Sequence, residues 1–469
     1  MSSSQPPITP EQLAALPPDF QALVRAIIEY YERRIAELEA KLNKSPQNSS
    51  LPPSAQHPHA KPPTTKPKSN KKRGGQPGHV KHERPLLPTD ECDDVHTLKP
   101  SQCRRCGMTL AGMDAEPWRH QVWELPEIRP IITEYQRHRL TCLGCGTTTC
   151  AELPPGVPTG QAGPRLIALT ALLMGCFRQS KRRVALFLEQ VLNQPCSPGW
   201  VVKLQRQATD ALRPNWQELA EQLSAQANLG IDETPTKEGP LKSWLWVCVA
   251  KAFTVYALRP TRAATVLAEL LGETFAGVTN CDRAKMYWSL GRLQWCWAHL
   301  KRDFQALVDS EDRQAQRLGR DLLRPTRDLF RHWARYRDGT LTRRGFQRLM
   351  QPICAEIEAL LLRGAFSGNP RLVGMCCELH GHRDWLWTFV EIEGIEPTNN
   401  ASERALRHAV IWRKLSFGTQ SAAGSRFVET ILTVVETCRQ QSRQVLAHIA
   451  AAVEAHLAGQ PAPSLLFRV

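Results

Sequence analysis

Residues 46–90 cannot build a core, and that divides the chain before any other feature is weighed. From Ser45 the sequence runs SPQNSSLPPSAQHPHAKPPTTKPKSNKKRGGQPGH, almost wholly Ser, Pro, Lys, Gly and other polar residues. Proline removes the backbone donor that helices and ladders need, and the basic run around Lys66–Arg73 repels itself. A disordered basic linker is predicted. Lys71, Lys72 and Arg73, beside flexible glycines, are candidate contacts to nucleic-acid backbone, the alternative being a solvated tether.

Ahead of the linker, in 1–45, one helix is predicted over about 20–42. Val24, Ile28, Tyr31, Ile35, Leu38 and Leu42 recur at alternating intervals of four and three residues, flanked by Glu32, Arg33, Arg34, Glu37 and Glu39. That is a heptad seam. It reads as a short coiled coil joining chains or as an amphipathic helix docked on its own domain.

After the linker, 91–157 carries Cys103-Arg-Arg-Cys106-Gly and Cys142-Leu-Gly-Cys145-Gly. A tight CxxC turn presents two thiolates to one ion, and two such turns supply the four soft donors of tetrahedral zinc. The glycine after each pair lets the backbone turn around the metal. A zinc-ribbon-like module holding Zn2+ on Cys103, Cys106, Cys142 and Cys145 is therefore predicted, against buried thiols or a redox pair. Cys92 and Cys150 are spare candidates, and His120 and His138 read as exposed surface.

Fifteen cysteines is an odd number, and the first residues show neither a basic start nor an apolar run. A reducing, cytoplasmic setting is expected, rather than a secreted disulfide scaffold. The longest apolar stretch, Leu166–Phe177, falls short of the ~20 residues a membrane span requires. With 60 Lys and Arg against 45 Asp and Glu, the net charge is +15, which favours a polyanionic partner, nucleic acid first.

The remainder reads as a multidomain α/β plus α chain. Residues 158–226 are helical, and SKRRVALFLEQVLN, a break at NQPCSPG and WVVKLQRQATDAL together have the shape of a helix-turn-helix. In 227–303, NLGIDETP, SWLWVCVAKA and FTVYALRP read as strands, TRAATVLAELLGETF as a helix, and GVTNCDRA and RLQWCWAHL as further strands. An α/β core with some antiparallel pairing follows. Residues 304–390 are charged and helical, 391–440 return to the core, and 441–469 form a C-terminal helix and tail.

Three acids stand out. Asp232 ends an apolar strand, in Ile231-Asp232-Glu233-Thr234-Pro235, where only one of the adjacent carboxylates can face a shared site. Asp282 follows GVTNC, and Glu403 lies in PTNNASER, where Asn399 or Asn400 would cap a helix. Acids at adjacent strand ends, joined by one from a helix, make an oxygen cage suited to Mg2+ or Mn2+ and to phosphodiester chemistry. Each also has a bland reading: Asp232 or Asp282 capping a turn, Glu403 pairing with Arg407.

Taken in order, Asp232-Glu-Thr-Pro, Asp282 with Tyr287, CWAHLKRDF (296–304) and PTNNASERALR (397–407) resemble the transposases of the insertion-sequence 66 family. The linker and the double CxxC module also look like that family's region ahead of its catalytic domain. The resemblance implies an RNase H-like core with a helical insertion. It further implies a DDE triad of Asp232, Asp282 and Glu403 that binds divalent metal and cuts and joins DNA at the ends of a mobile element. Cys296 and His299 match the family's C-x-x-H signature, with a structural or DNA-positioning role. Arg404, Arg407, Arg413 and Lys414 would contact phosphates. Element ends and target DNA are the implied partners, with a homo-oligomer on DNA and small accessory proteins of the same element. The rivals are a catalytically inactive repressor and a nuclease without strand transfer.

Overall fold

The computed structural model describes residues 10–42 and 85–466. Lys71, Lys72 and Arg73 lie outside the described residues. The chain forms two units, one of 61–131 and one containing everything else. Within 85–131 the order comes from turns rather than from a core. A 3-10 turn at Thr89–Glu91 and a lone antiparallel bridge between Gln102 and Thr109 are its regular features. Gln121 ties it together, accepting from Leu87 N at 3.0 Å and donating to Leu87 O at 2.9 Å.

In the larger unit, α1 (Pro10–Ala14) turns into α2 (Pro18–Leu42), and Gln21 Nε2 closes the corner on Leu16 O at 2.7 Å. The heptad positions Ile28, Tyr31, Ile35 and Leu38 are all exposed. A short hairpin follows, β1 (Arg139–Thr141) against β2 (Thr148–Cys150), whose loop is the second CxxC turn. The hairpin therefore surrounds the second CxxC turn.

Helices α3 (Pro164–Gly175), α4 (Lys181–Leu192) and α5 (Pro198–Glu221) form the predicted helical block. Ser180 and Ser197 cap α4 and α5, accepting from Arg183 N and Trp200 N. Asn193, at φ 52°, ends α4 in the left-handed conformation that short polar side chains tolerate.

The central sheet joins β3 (Asn228–Glu238), β4 (Leu241–Val249), β5 (Thr254–Arg259), β6 (Val278–Cys281) and β7 (Leu293–Trp295) in the order β5-β4-β3-β6-β7. The first three strands pair antiparallel, whereas β6 runs parallel to β3 and β7 parallel to β6. Between β5 and β6 lies α6 (Thr265–Leu271), and a 3-10 turn at Lys285–Leu290 precedes β7. RLQWCWAHL is not one strand: β7 ends at Trp295, and Trp297 opens α7 (Trp297–Val308). Alternation gives way there to a helical face that buries Trp297, Leu300, Phe304 and Leu307.

Helices close both edges of this sheet. The insertion comprises α8 (Arg313–Arg337), α9 (Arg343–Ala365), α10 (Pro370–Gly381) and α11 (Asp384–Glu391). Against β7, buried Gln294 accepts from Phe389 N at 2.8 Å, and Thr388 Oγ1 donates to Leu293 O at 2.6 Å. On the far edge stands α13 (Ala422–Gln440), which follows α12 (Asn400–Ser416). Thr437, Thr433 and Glu429 of α13 accept from Thr254 N, Tyr256 N and Leu258 N at 2.9–3.1 Å. Four helical residues rise ~6 Å and two strand residues ~6.6 Å, so side chains spaced i, i+4 can serve every second amide of an edge strand. An edge that would otherwise recruit another chain is thereby covered.

Buried Glu429 also pairs with Arg213 at 2.6 Å and Arg259 at 3.2 Å, tying α5 to the same edge. Near Ser442, at φ 53°, the chain leaves α13 and enters the C-terminal helix α14 (Val445–Leu457), which packs on α3 and α5.

Candidate active site

Asp232 stands on β3, and Asp282 directly follows the adjacent parallel strand β6, at matching height. Gly230 of β3 pairs with Asn280 of β6, and each aspartate lies two residues further along its own chain. Alternation directs Asp232 to the face of Gly230, where α12 approaches so closely that a Cβ on Gly230 would fall 2.5 Å from Ser402 Oγ.

Four hydrogen bonds hold the start of α12, and with it Glu403, in that place. Asn399 Nδ2 donates to Ile231 O at 2.7 Å, and Asn399 N donates to Cys296 Sγ at 3.2 Å. Trp297 N donates to Pro397 O at 2.9 Å, and Asn280 Nδ2 to Glu396 O at 2.6 Å. Asn399 occupies the cap position of α12, but its side chain does not cap: it accepts from Ser402 Oγ and bonds β3 instead.

The electrostatics register the convergence. Burial, then the neighbouring Glu233 carboxylate, push Asp232 up to about 8, with Asp282 and Glu403 adding to the rise and the Glu233 N–H opposing it. Among the described residues Asp232 has no cationic partner within ion-pair distance. Asp282 Oδ1 accepts from Ala284 N at 2.8 Å, so it does form the turn its spacing allowed. Glu403 does not pair with Arg407. Its Oε1 lies 3.6 Å from His299 Nδ1 and 3.9 Å from Arg302 NH2, and both Glu403 Oε1 and His299 Nδ1 are buried without a hydrogen-bond partner.

Cys296 is the N-cap of α7, and its thiol, Nδ1 or Nε2 of His299 and a Glu403 oxygen all lie within 4.8 Å of one another. Burial raises the Cys296 thiol against the pull of the Asn399 and His299 N–H groups, and burial with Arg302 lowers His299.

Several neighbours had no sequence signal. Glu233 faces the other side of β3, its side chain 2% exposed, gripped by Tyr287 OH and by Arg262 Nε at 2.6 Å. Burial raises its carboxyl, opposed by Tyr287. Arg262 also reaches Asp282 Oδ2 at 3.9 Å, and Arg283 bridges Asp303 at 3.0 Å and Glu378 at 3.1 Å. Of these, Glu233, Tyr287 and Asp303 lie inside the motifs that carry the family resemblance. Arg262 follows a strand end with no pattern to mark it.

A family model described as the transposase IS66 family matches residues 159–426, more than half of the chain and every element of this site. The chain belongs to the IS66 transposase family. Residues 8–85 match a second model, of a family of unknown function. A curated relative from Sinorhizobium fredii, the uncharacterized protein y4qI, is 26% identical over 223 residues, 42% of this chain and 41% of the relative. The match thus spans under half the length of that relative.

Within this family member the two cysteine turns have the same backbone. Cys103 N donates to Met108 O and Gly107 N to Cys103 O, at 2.9 and 3.0 Å. Cys142 N donates to Thr147 O and Gly146 N to Cys142 O, both at 2.9 Å. Gly107 and Gly146 share positive φ values of 74° and 72°, so the glycine after each pair is a conformational requirement. Backbone N–H groups of Arg105 and Cys106 lower Cys103, and the Thr147 hydroxyl lowers Cys145, which favours the thiolates that a metal needs. His120 and His138 are exposed.

Of the four basic residues on α12, Arg404, Arg407 and Lys414 are exposed along one side of the helix. Arg413 is half-buried, and its NH1 bonds Thr234 Oγ1 at 3.0 Å and Pro235 O, bracing α12 against β3. Among the described residues no helix is long and apolar enough to cross a membrane.

Proposed function

We propose that the chain is a DDE transposase, cleaving DNA at the ends of its element and joining the exposed 3′-hydroxyl to target DNA. The observation that supports this reading is the buried Asp232 carboxyl, which lies near enough to Asp282 and Glu403 for both to help push it up to about 8 and which faces no cation among the described residues. Buried, mutually repelling carboxylates are stable only if they are protonated or share a cation. The donor set therefore fits Mg2+ or Mn2+, which prefer carboxylate oxygens. When bound there, divalent ions lower the pKa of an attacking water or hydroxyl and stabilise the departing oxygen of a phosphodiester.

The protein's own part is positional. Strands β3 and β6 fix Asp232 and Asp282 to each other, and Asn399 fixes Glu403 to both. Tyr287 and Arg262 hold Glu233 away from the shared pocket. The sheet order, three antiparallel strands followed by two parallel ones, supports an RNase H-like core, with α8–α11 as its helical insertion.

The basic chain, the exposed Arg404, Arg407 and Lys414, and the pair α4–α5 with Lys181, Arg182 and Arg183 exposed support binding to element ends. The linker residues Lys71, Lys72 and Arg73 would add backbone contacts. In this reading the cysteine turns bind zinc, and α2 joins protomers across two ends. Incubating the purified protein with labelled element ends and Mg2+ tests the proposal. Cleaved and joined products are expected from wild type and none from Asp232→Ala, Asp282→Ala or Glu403→Ala. Unchanged products in all three variants would overturn the triad, and cleavage without joining would favour a nuclease.

A further inference from the structure

Cys296, His299 and Glu403 converge although the phosphodiester chemistry proposed above needs only the last of them. Cys296 and His299 sit at the N-cap and third position of α7, a spacing that puts both on one face of its first turn. Glu403 enters from the first turn of α12. All three donors lie within 4.8 Å of one another. Two of them, His299 Nδ1 and Glu403 Oε1, are buried with unmet hydrogen-bonding capacity and stand 3.6 Å apart. Two ligands held ~2.1 Å from one tetrahedral ion are about 3.4 Å apart, so these atoms are already spaced as neighbouring ligands.

The donor chemistry discriminates between metals. One sulfur, one imidazole nitrogen and one carboxylate oxygen suit zinc and other borderline-soft divalent ions, whereas magnesium prefers a shell of oxygens. Both helices point their N-termini at the trio, and backbone N–H groups of Asn399 and His299 reach the sulfur. Those N–H groups oppose, without overcoming, the rise that burial gives the Cys296 thiol, so a bound cation would be what stabilises the thiolate there.

We infer that Cys296, His299 and Glu403 form a zinc site with one open position, and that zinc bound there withdraws Glu403 from the magnesium centre and halts DNA cleavage. Binding releases the Cys296 thiol proton to solvent, and no other bond changes. The inhibitory half of this inference rests on the DDE reading, while the metal site itself does not.

The test uses full-length protein stripped of metal and titrated with Co2+ as a spectroscopic substitute for zinc. Subtracting the His299→Ala spectrum from that of wild type cancels the cysteine turns, which are the same in both proteins. A thiolate-to-cobalt band in the near ultraviolet is expected in the difference, saturating at one equivalent and bleached by Zn2+. A featureless difference spectrum, with both proteins folded by circular dichroism, would overturn the site.

In Mg2+-dependent cleavage, zinc should inhibit wild type, and the concentration for half-inhibition should rise at least about tenfold in His299→Ala, each protein being compared with its own zinc-free rate. Equal zinc sensitivity in the two proteins would overturn the withdrawal of Glu403. A cobalt difference band from a wild type that makes no zinc-free product would instead uphold the site and remove the DDE reading.

Discussion

Asn399 Nδ2 donates to Ile231 O at 2.7 Å, so a residue just before the glutamate helix is bonded to the residue just before the first aspartate. The two are separated by most of the catalytic region in sequence, yet one side chain sets the distance between Asp232 and Glu403. Asn399→Ala would leave Ile231 O and Ser402 Oγ without this partner in a buried site, at a cost of about 1–3 kcal/mol. Cleavage should fall far more than the thermal midpoint. Parallel melting curves and Mg2+-dependent cleavage would check this, and a fold-stability loss with undiminished cleavage would remove Asn399 from the positioning role.

Gly230 tests the same junction from the strand side. A Cβ there would fall 2.5 Å from Ser402 Oγ and 3.0 Å from Asn399 Oδ1. Real Cβ atoms do not approach that closely, so Gly230→Ala must either turn the Ser402 hydroxyl away from Asn399 Oδ1 or move α12 away from β3. The expected outcome is a folded protein with depressed cleavage. Gly230→Ala combined with Ser402→Ala should recover part of it, since the closest obstacle is the Ser402 hydroxyl.

Much of this site was legible because its chemistry sits in short, strongly patterned segments. The apolar runs before Asp232 and Asp282 are strands, and the polar PTNN before Glu403 opens a helix. What the sequence could not display were bonds across its folds. The strand-like RLQWCWAHL changes to helix at Trp297, whose ring nitrogen bonds Leu386 O at 2.8 Å, far along the chain. Glu233 looked redundant beside Asp232, and only the placement of Tyr287 and Arg262 gives it a partner. The family resemblance implied a phosphate contact for Arg413, although its guanidinium bonds Thr234 and Pro235. Local alternation and helical period are encoded locally, whereas edge closure by Thr433 or Gln294 depends on tertiary docking.

The raised Asp232 carboxyl gives a pH dependence with a definite sign. Its folded value of about 8 lies above the ordinary 3.8, so the metal-free folded state binds more protons than the unfolded state between these values. This residue's contribution to stability is therefore fully present below about pH 4 and is lost as pH rises through about 8. Divalent metal competes with that proton, so Mg2+ should raise the thermal midpoint more at pH 8 than at pH 6. Asp232→Asn should abolish the difference, and an equal Mg2+ effect at both pH values would count against the shared-cation account.

The cysteine turns predict a measurable metal content. Purified full-length protein should hold about one zinc per chain after exhaustive dialysis, the second zinc site inferred above being the weaker and more exposed to exchange. In the zinc reading proposed above, Cys103→Ser and Cys142→Ser should each remove the retained zinc. Loss in one variant alone would mean that a single turn binds metal with other partners.

Helix α2 carries the last prediction. Ile28, Tyr31, Ile35 and Leu38 are 39%, 59%, 54% and 45% exposed, a continuous apolar seam along a helix of 25 residues. A helix of that length gains little from propensity alone and is stabilised chiefly by burying such a face. Its regular alternation of four and three matches the knobs-into-holes contacts of a second identical helix. Full-length protein should therefore sediment as a dimer or larger assembly, and Ile28→Lys with Ile35→Lys should shift it to monomer while the catalytic region keeps its melting transition. In the transposase reading, joining two element ends needs two protomers together, so the double variant should cut single ends yet lose paired-end products. A wild type that sediments as monomer at all concentrations would leave the seam without the second copy proposed for it.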